Sequence, residues 1–163
     1  MPDNQLTKKI KQYIEQNGAI DVAKFMEVAL FDNDYGYYRK KNPFGSSGDF
    51  ITAPEISQVF GEIIGLYIVY KWQESGQPGK YNLIELGPGN GSLMADILRA
   101  TKNIDGFHRA VSINLVEKSK RLKEIQLDKL APYQIAINHF AEFNNINIKA
   151  VSYTHLTLPT IRL

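Results

Sequence analysis

The pattern of apolar and polar positions divides the second half of the chain into alternating strands and helices. Short, mostly apolar runs at 81–86, 111–116 and 133–140 predict three strands. The first run lies between Gly79 and Gly87, and its composition predicts a strand that is buried on both faces, as in a parallel sheet. Apolar residues at helical spacing then predict helices from the glycine turn to about Thr101 and over 119–130. This order predicts an α/β fold with a Rossmann-like arrangement.

The first half of the chain is predicted to be helical. Apolar spacing predicts a helix over 6–17 that ends at Gly18. Asp21 is a suitable N-cap for a second helix. Five apolar residues of this second helix are predicted to point inward: Val22, Phe25, Met26, Ala29 and Leu30. The segment 31–50 is rich in Asp, Asn, Gly and Tyr and predicts a long loop, which is either a functional cover or a packed Ω-loop.

The longest predicted helix begins after Thr52 and runs to Glu74. Thr52 and Glu55 have the spacing of a capping box, and Pro54 lies in the first turn, where no backbone N–H is needed. The capping role is enough to explain why Glu55 is present, and a role of Glu55 in a functional site stays open as the alternative. The broad apolar face of this helix comprises Ile56, Val59, Phe60, Ile63, Ile64, Tyr67 and Ile68.

Composition narrows the class of protein but not its activity. The chain has 163 residues, 44% of them hydrophobic, with a net charge of +2, as in one globular domain without a nucleic-acid footprint. It has no cysteine, which excludes disulfides and thiolate metal sites and fits an intracellular protein. His108, His139 and His155 lack metal-ligand spacing, and no apolar run approaches the length of a membrane span. We therefore expect no metal, nucleic acid or membrane span.

The turn after the first predicted strand contains Glu85, Gly87, Gly89 and Gly91 at alternate positions. A dinucleotide fingerprint would place its third glycine or alanine one residue later, where this chain has Ser92. The string resembles motif I of class I S-adenosylmethionine-dependent methyltransferases instead. Glycines let the backbone approach such a cofactor closely, and the carboxylate of Glu85 can meet its ammonium group. A dinucleotide site and a plain glycine turn stay open as alternatives.

The second predicted strand ends at Glu117. A carboxylate at this point can accept hydrogen bonds from both hydroxyls of a nucleoside ribose. The separation in sequence between Gly91 and Glu117 is longer than the corresponding separation in most dinucleotide sites, and the inserted loop 102–107 accounts for the difference. The alternative is that Glu117 only caps the next helix.

Five strings of the chain carry a family resemblance: Asp34-Tyr35-Gly36-Tyr37-Tyr38, Gly48-Asp49-Phe50-Ile51-Thr52-Ala53-Pro54-Glu55-Ile56-Ser57, Phe60-Gly61-Glu62, the glycine turn from Glu85 to Ile97, and Leu115-Val116-Glu117. Together they resemble the MidA-like methyltransferase family, which is also known as the mitochondrial complex I assembly arginine methyltransferases. The resemblance implies a class I methyltransferase fold, S-adenosylmethionine as cofactor and a protein substrate, which for mitochondrial members is an arginine on a complex I subunit.

The resemblance also assigns roles to residues. Glu85, Gly87, Gly89 and Gly91 match the cofactor loop, and Glu117 matches the ribose ligand. The residues that match the segment over the cofactor are Asp49, Thr52 and Glu55. Among these, Thr52 is expected to contact the cofactor, and the carboxylates Asp49 and Glu55 are candidates for orienting the guanidinium that is methylated.

The expected organisation has three parts. Residues 1–78 form a helical N-terminal region whose loop 31–55 covers the cofactor or substrate, and residues 79–150 form an incomplete methyltransferase domain with a truncated sheet. Residues 151–163 resemble one translation of a sequencing adapter and are expected to be a non-native tail. The 163-residue chain is accordingly expected to be inactive alone, and its parent protein to act in a bacterial cytoplasm, although mitochondrial members exist. A non-catalytic assembly module and a nicotinamide-dependent oxidoreductase are the competing functions.

Overall fold

The computed structural model describes residues 4–40 and 52–146. They belong to two compact units, Met1–Pro43 and Phe44–Leu163. Asp49, much of the predicted covering loop and the whole tail 151–163 lie outside the described residues. The described residues contain no helix that is long and apolar enough to span a membrane. The predicted boundary between residues 78 and 79 stays a prediction.

The first unit consists of helices. Its elements are α1 (Gln5–Asn17), α2 (Val22–Phe31) and α3 (Tyr37–Lys40). The Asp21 side chain accepts a hydrogen bond from the N–H of Lys24 and caps α2, as the sequence predicted. The inward orientation predicted for Val22, Phe25 and Met26 is wrong, because all three are exposed. Within the unit, the C-terminal end of α2 packs on α3, where Phe31 stacks on Tyr38. The first turns of α2 therefore lie outside this contact.

The second unit is an α/β layer. Its elements are α4 (Ala53–Ile56), α5 (Gln58–Glu74), β1 (Tyr81–Leu86), α6 (Ser92–Thr101), α7 (Phe107–Ala110), β2 (Val111–Val116), α8 (Lys120–Leu130) and β3 (Ile137–Phe140), with 3₁₀ turns at Ala131–Tyr133 and Phe143–Asn145. The three strands are parallel, in the order β1-β2-β3. Leu86, Val116 and Phe140 are in register, so the carboxyl ends of all three strands meet at one edge. This arrangement confirms the predicted partial Rossmann-like fold.

Two apolar clusters hold the second unit together. One joins α6 and α8 to the sheet through Met94, Leu98, Ile113, Leu115 and Leu130. The other lies toward the amino ends of the strands and includes Val69, Trp72, Phe107, Ala110 and Val111. The rings of Trp72 and Phe107 meet edge to face with centroids 5.4 Å apart. The first cluster fixes α6 and α8 against the strands whose carboxyl ends carry the candidate site, and the second fixes α5 and α7 at the opposite end of the sheet.

The helix predicted from Thr52 to Glu74 is interrupted. Ser57 has extended backbone angles (φ −148°, ψ 123°) and separates α4 from α5. The predicted apolar face of α5 is also wrong in part, because Val59, Ile63 and Tyr67 are exposed. The buried side is the one that carries Gly61 and Gly65, which allow α5 to lie against α6 with almost no space between the backbones.

Two predictions about the strands are corrected as well. β1 is not buried on both faces, because Asn82 and Leu86, which point to the same face, are both exposed, Leu86 to 62%. Among the described strands β1 pairs only with β2. The third strand begins at Ile137 rather than at residue 133. Tyr133 instead ends a 3₁₀ turn, and its hydroxyl donates to the carbonyl of Ala95 on α6.

Candidate functional site

The carboxyl edge of the sheet brings the glycine turn and Glu117 together. The N–H of Gly87, just after β1, donates to the carbonyl of Val116 at 3.0 Å. The N–H of Glu117, just after β2, donates to the carbonyl of Phe140 at 2.9 Å. The ladder of hydrogen bonds thus continues one residue beyond both strands. As a result, two of the regions singled out from the sequence lie at neighbouring strand ends, where open α/β sheets bind their ligands.

The glycine turn needs glycine for conformational reasons. Gly87, Gly89 and Gly91 have φ angles of +66°, +54° and +74°, which side chains with a Cβ rarely adopt. Gly91 is the N-cap of α6, and a Cβ on it would lie 3.3 Å from the Cγ of Gln126. The turn therefore presents backbone rather than side chains at the edge of the sheet, between the end of β1 and the first turn of α6.

Glu85 is a buried carboxylate without a compensating charge. None of the described residues hydrogen-bonds to its Oε2, which is inaccessible to solvent. Burial raises the pKa of Glu85 from 4.5 to about 7. The atom belongs to the last residue but one of β1, beside the glycine turn. An unpaired buried acceptor at this point suits a ligand that brings hydrogen-bond donors or positive charge.

Glu117 lies in a polar but enclosed environment. Its Oε1 accepts from the N–H of Ser119 at 2.8 Å, so the carboxylate does help to begin α8. Burial raises the pKa of Glu117, although the N–H groups of Ser119 and Lys118, the charge of Lys123 and a hydrogen bond from Gln126 act in the opposite direction. A carboxylate has about four lone-pair positions. These contacts therefore leave acceptor capacity for a ribose hydroxyl, and the capping and ribose-binding roles of Glu117 are compatible.

Thr52 and Glu55 are linked to the glycine turn through Asn90. The Oε2 of Glu55 accepts from the N–H of Thr52 at 3.3 Å, which completes the predicted cap of α4. Its Oε1 accepts from the Nδ2 of Asn90 at 3.1 Å. The Oδ1 of Asn90 is buried and, like the Oε2 of Glu85, has no hydrogen-bond partner among the described residues. The structure thus assembles Thr52 and Glu55 with the turn, while Asp49 lies outside the described residues.

Sequence reasoning missed two residues of this assembly, Asn90 and Gln126. A signal for Gln126 was present, because it lies on the helix stripe formed by Leu122 and Leu130 at intervals of four, where an amphipathic helix buries apolar side chains. A polar residue in such a stripe indicates a buried hydrogen-bonding partner. Asn90 carried no comparable signal. Among the described residues there is no cluster of His, Asp or Glu that could hold a metal ion.

Comparison with known proteins identifies the family. Residues 63–157, more than half of the chain, match the model of a family described as "Putative S-adenosyl-L-methionine-dependent methyltransferase". The chain belongs to this family. It is 42% identical over 144 residues to mouse mitochondrial protein arginine methyltransferase NDUFAF7, and 37% identical over 142 residues to the human protein. The Drosophila melanogaster homologue is 36% identical over 143 residues.

The alignments cover most of this chain but only part of the relatives. They include 85% of this chain and 33% of the mouse protein, so the chain spans about a third of the length of the relatives that it matches. A crystal structure of a COG1565 superfamily protein from Burkholderia thailandensis, bound to S-adenosyl-homocysteine, superposes with a TM-score of 0.68 at 24% identity. It covers 84% of this chain and 37% of the Burkholderia protein. This likeness supports the fold assignment.

Proposed function

We propose that this protein is an S-adenosylmethionine-dependent methyltransferase that methylates arginine side chains of a protein. The observation that carries the proposal is the pair of buried acceptor atoms, Glu85 Oε2 and Asn90 Oδ1, beside a turn of glycines with positive φ. The ammonium group of the cofactor has three N–H donors and no acceptor, and therefore complements both atoms. The family match and the S-adenosyl-homocysteine in the Burkholderia structure support the choice of cofactor.

The same residues argue against a dinucleotide. A pyrophosphate has acceptor oxygens and negative charge, and would face the unpaired acceptors of Glu85 and Asn90. Two acceptors without a shared proton repel each other, and the repulsion increases when Glu85 ionises. A nicotinamide-dependent oxidoreductase is therefore the weaker candidate.

In the proposed site each part of the cofactor meets a different residue. The bound cofactor would supply a methyl group on a positively charged sulfur. Glu85 and Asn90 would hold the ammonium end, and Glu117 would accept a hydrogen bond from the ribose. The glycine turn would let the cofactor lie against the backbone. Holding the cofactor in one orientation lowers the entropic part of the barrier to transfer.

An arginine acceptor is supported by the relatives, which are named protein arginine methyltransferases. A guanidinium is positioned best by carboxylates, which can accept two parallel N–H bonds. Glu55 and Asp49 stay the candidates for this role in the chain. Both carboxylate oxygens of Glu55 already accept hydrogen bonds, one from Thr52 and one from Asn90. A guanidinium would have to share or replace one of these hydrogen bonds. We also propose a respiratory complex I subunit as the substrate and a bacterial cytoplasm as the location.

Two measurements test the proposal, both on the protein expressed from its complete gene. Isothermal titration calorimetry with S-adenosyl-homocysteine and with NAD should detect binding of the first compound only. In a second assay a labelled methyl group should be transferred to an arginine of a complex I subunit. Replacing that arginine with lysine should abolish the labelling. Binding of NAD alone would refute the methyltransferase proposal. Cofactor binding without transfer to any protein would favour a non-catalytic assembly module.

A further inference from the structure

Gln126 is a polar side chain in a position that the helix pattern reserves for an apolar one. It lies on α8 between Leu122 and Leu130, and its exposed fraction is 0%. Burying an amide is costly unless all of its polar atoms find partners. The side chain is therefore informative about what surrounds it at the carboxyl edge of the sheet.

The hydrogen bonds of the Gln126 amide reach the glycine turn and β3. Its Nε2 donates to the carbonyl of Gly89 at 2.7 Å. Its Oε1 lies 2.8 Å from the Nε2 of His139 on β3. The amide also acts to lower the pKa of Glu117. Because Gly89 O is an acceptor, the NH₂ group must face it, and Oε1 must face His139. The orientation of the amide is thereby fixed, and His139 must carry its proton on Nε2.

From this geometry we infer that Gln126 is a positioning residue, which ties the glycine turn to α8, the helix whose N-cap is bound by Glu117, and so fixes the distance between the two parts of the cofactor site. The inference rests on the proposed function. Gly89 belongs to the turn that would meet the amino-acid end, and Glu117, whose Oε1 accepts from the N–H of Ser119 at the start of α8, would meet the ribose. Gly91 also packs against Gln126, because a Cβ added to Gly91 would lie 3.3 Å from the Cγ of Gln126. The turn and α8 are therefore in direct contact as well.

The hydrogen bond between His139 and Gln126 does not depend on the protonation state of His139. A neutral imidazole with its proton on Nε2 and a doubly protonated imidazolium both donate through Nε2. The contact with Gln126 Oε1 is therefore kept in either protonation state. The hydrogen bond that holds the turn comes from the NH₂ group of Gln126, which does not titrate.

A double-mutant cycle separates positioning from simple stabilisation of the fold. Gln126→Met keeps the length of the side chain but removes all of its hydrogen bonds. We expect it to raise the Kd for S-adenosyl-homocysteine about 10- to 100-fold, the scale of leaving a buried polar group without its partner. In the Glu117→Ala background the same change should raise the Kd less than about 3-fold, because the turn then has no ribose ligand against which it must be positioned.

Thr101→Val is the matched control. Thr101 is also 0% exposed, and its hydroxyl donates to the carbonyl of Ile97 at 2.8 Å, but it lies at the far end of α6 from the glycine turn. We expect this variant to lower the thermal midpoint while changing the Kd less than about 2-fold. A second variant, Gln126→Glu, keeps an acceptor for His139 but lacks the NH₂ donors, and it should weaken binding at pH 8 even if Gln126→Met does not fold.

The outcomes are distinct. A Kd for Gln126→Met and Gln126→Glu within about 2-fold of the parent would overturn the inference, and so would an equal factor with and without Glu117. Failure of the parent protein itself to bind S-adenosyl-homocysteine would instead refute the proposed function. Tight binding by the parent together with unchanged binding by both Gln126 variants would leave the proposed function standing and remove only the positioning role.

Discussion

Replacing Glu85 with glutamine should change the pH dependence of stability. In the folded protein burial raises the pKa of Glu85 from 4.5 to about 7, so between these values the folded state holds a proton that the unfolded state has lost. The contribution of Glu85 to the free energy of unfolding is therefore fully present below pH 4.5 and is lost as the pH rises through 7. The shift corresponds to a total loss of about 3 kcal/mol. The amide in the Glu85→Gln variant cannot ionise, so the variant should escape this loss.

The measurement is urea denaturation of parent and variant at pH 5, 6, 7 and 8, followed by the fluorescence of Trp72, the single tryptophan, and by circular dichroism. Other titrating groups act equally in both proteins, and a packing penalty from the amide does not depend on pH. The unfolding free energy of Glu85→Gln relative to the parent should therefore rise by about 2.5 kcal/mol between pH 5 and pH 8. Glu124→Gln, at an exposed position on α8, should show no such trend.

Ligand binding gives the second half of this test. At pH 8 the Glu85→Gln variant should bind S-adenosyl-homocysteine about 1.5–3 kcal/mol more weakly, because the ammonium loses a charged partner. At pH 5 the difference should shrink, since the parent carboxyl is itself protonated there without ligand. A stability difference that is constant from pH 5 to pH 8, or a binding difference that is largest at pH 5, would refute the assignment of Glu85 as a buried carboxyl that ionises to meet a cation.

Three further predictions follow from the site and the packing. Gly89→Val should abolish S-adenosyl-homocysteine binding in calorimetry, because a branched residue does not tolerate φ of +54°; an unchanged Kd would contradict this. Glu117→Ala should weaken the same binding by about 1–3 kcal/mol, and an unchanged affinity would exclude the ribose role. Gly61→Ala should lower the free energy of unfolding by about 1–3 kcal/mol, because its Cβ would lie 2.4 Å from the Cβ of Asp96, whereas Gly79→Ala, with open space around it, should be neutral in the same urea titration.

The sequence predicted elements best where glycine and apolar runs mark their ends. The first two strands, at Tyr81–Leu86 and Val111–Val116, and the helix that ends at Thr101 have the predicted bounds. Local chemistry sets these limits, because a glycine with positive φ ends β1 and Gly91 begins α6. The predicted third strand began too early because the tertiary contact of the Tyr133 hydroxyl with Ala95 holds the chain in a 3₁₀ turn, and no local pattern contains that contact.

The orientation of α5 shows a different limit of sequence reasoning. Apolar periodicity assigned the buried face to residues such as Val59 and Ile63, but the helix turns its glycines toward α6. A Cβ at Gly65 would come within 3.0 Å of the Cα of Ile97, so the approach of the two helices depends on absent side chains. Hydrophobicity scales do not record the advantage of having no side chain at such a contact. The candidate site shows the same limit, because Asn90 and Gln126 are defined by partners distant in the chain.

The polar groups at the carboxyl edge have a common property that links stability to selectivity. The buried atoms of the described residues that lack partners, Glu85 Oε2 and Asn90 Oδ1, are both acceptors, and the Nε2 of Gln126 already donates to Gly89. Each unsatisfied acceptor costs the free protein about 1–3 kcal/mol. A ligand with donors and positive charge recovers this energy on binding, whereas an anionic ligand adds to it. In the proposed site the edge would therefore favour a cationic cofactor, because binding recovers energy that the free protein lacks. A substitution that removes the unsatisfied acceptors should stabilise the fold while weakening the binding of the cofactor.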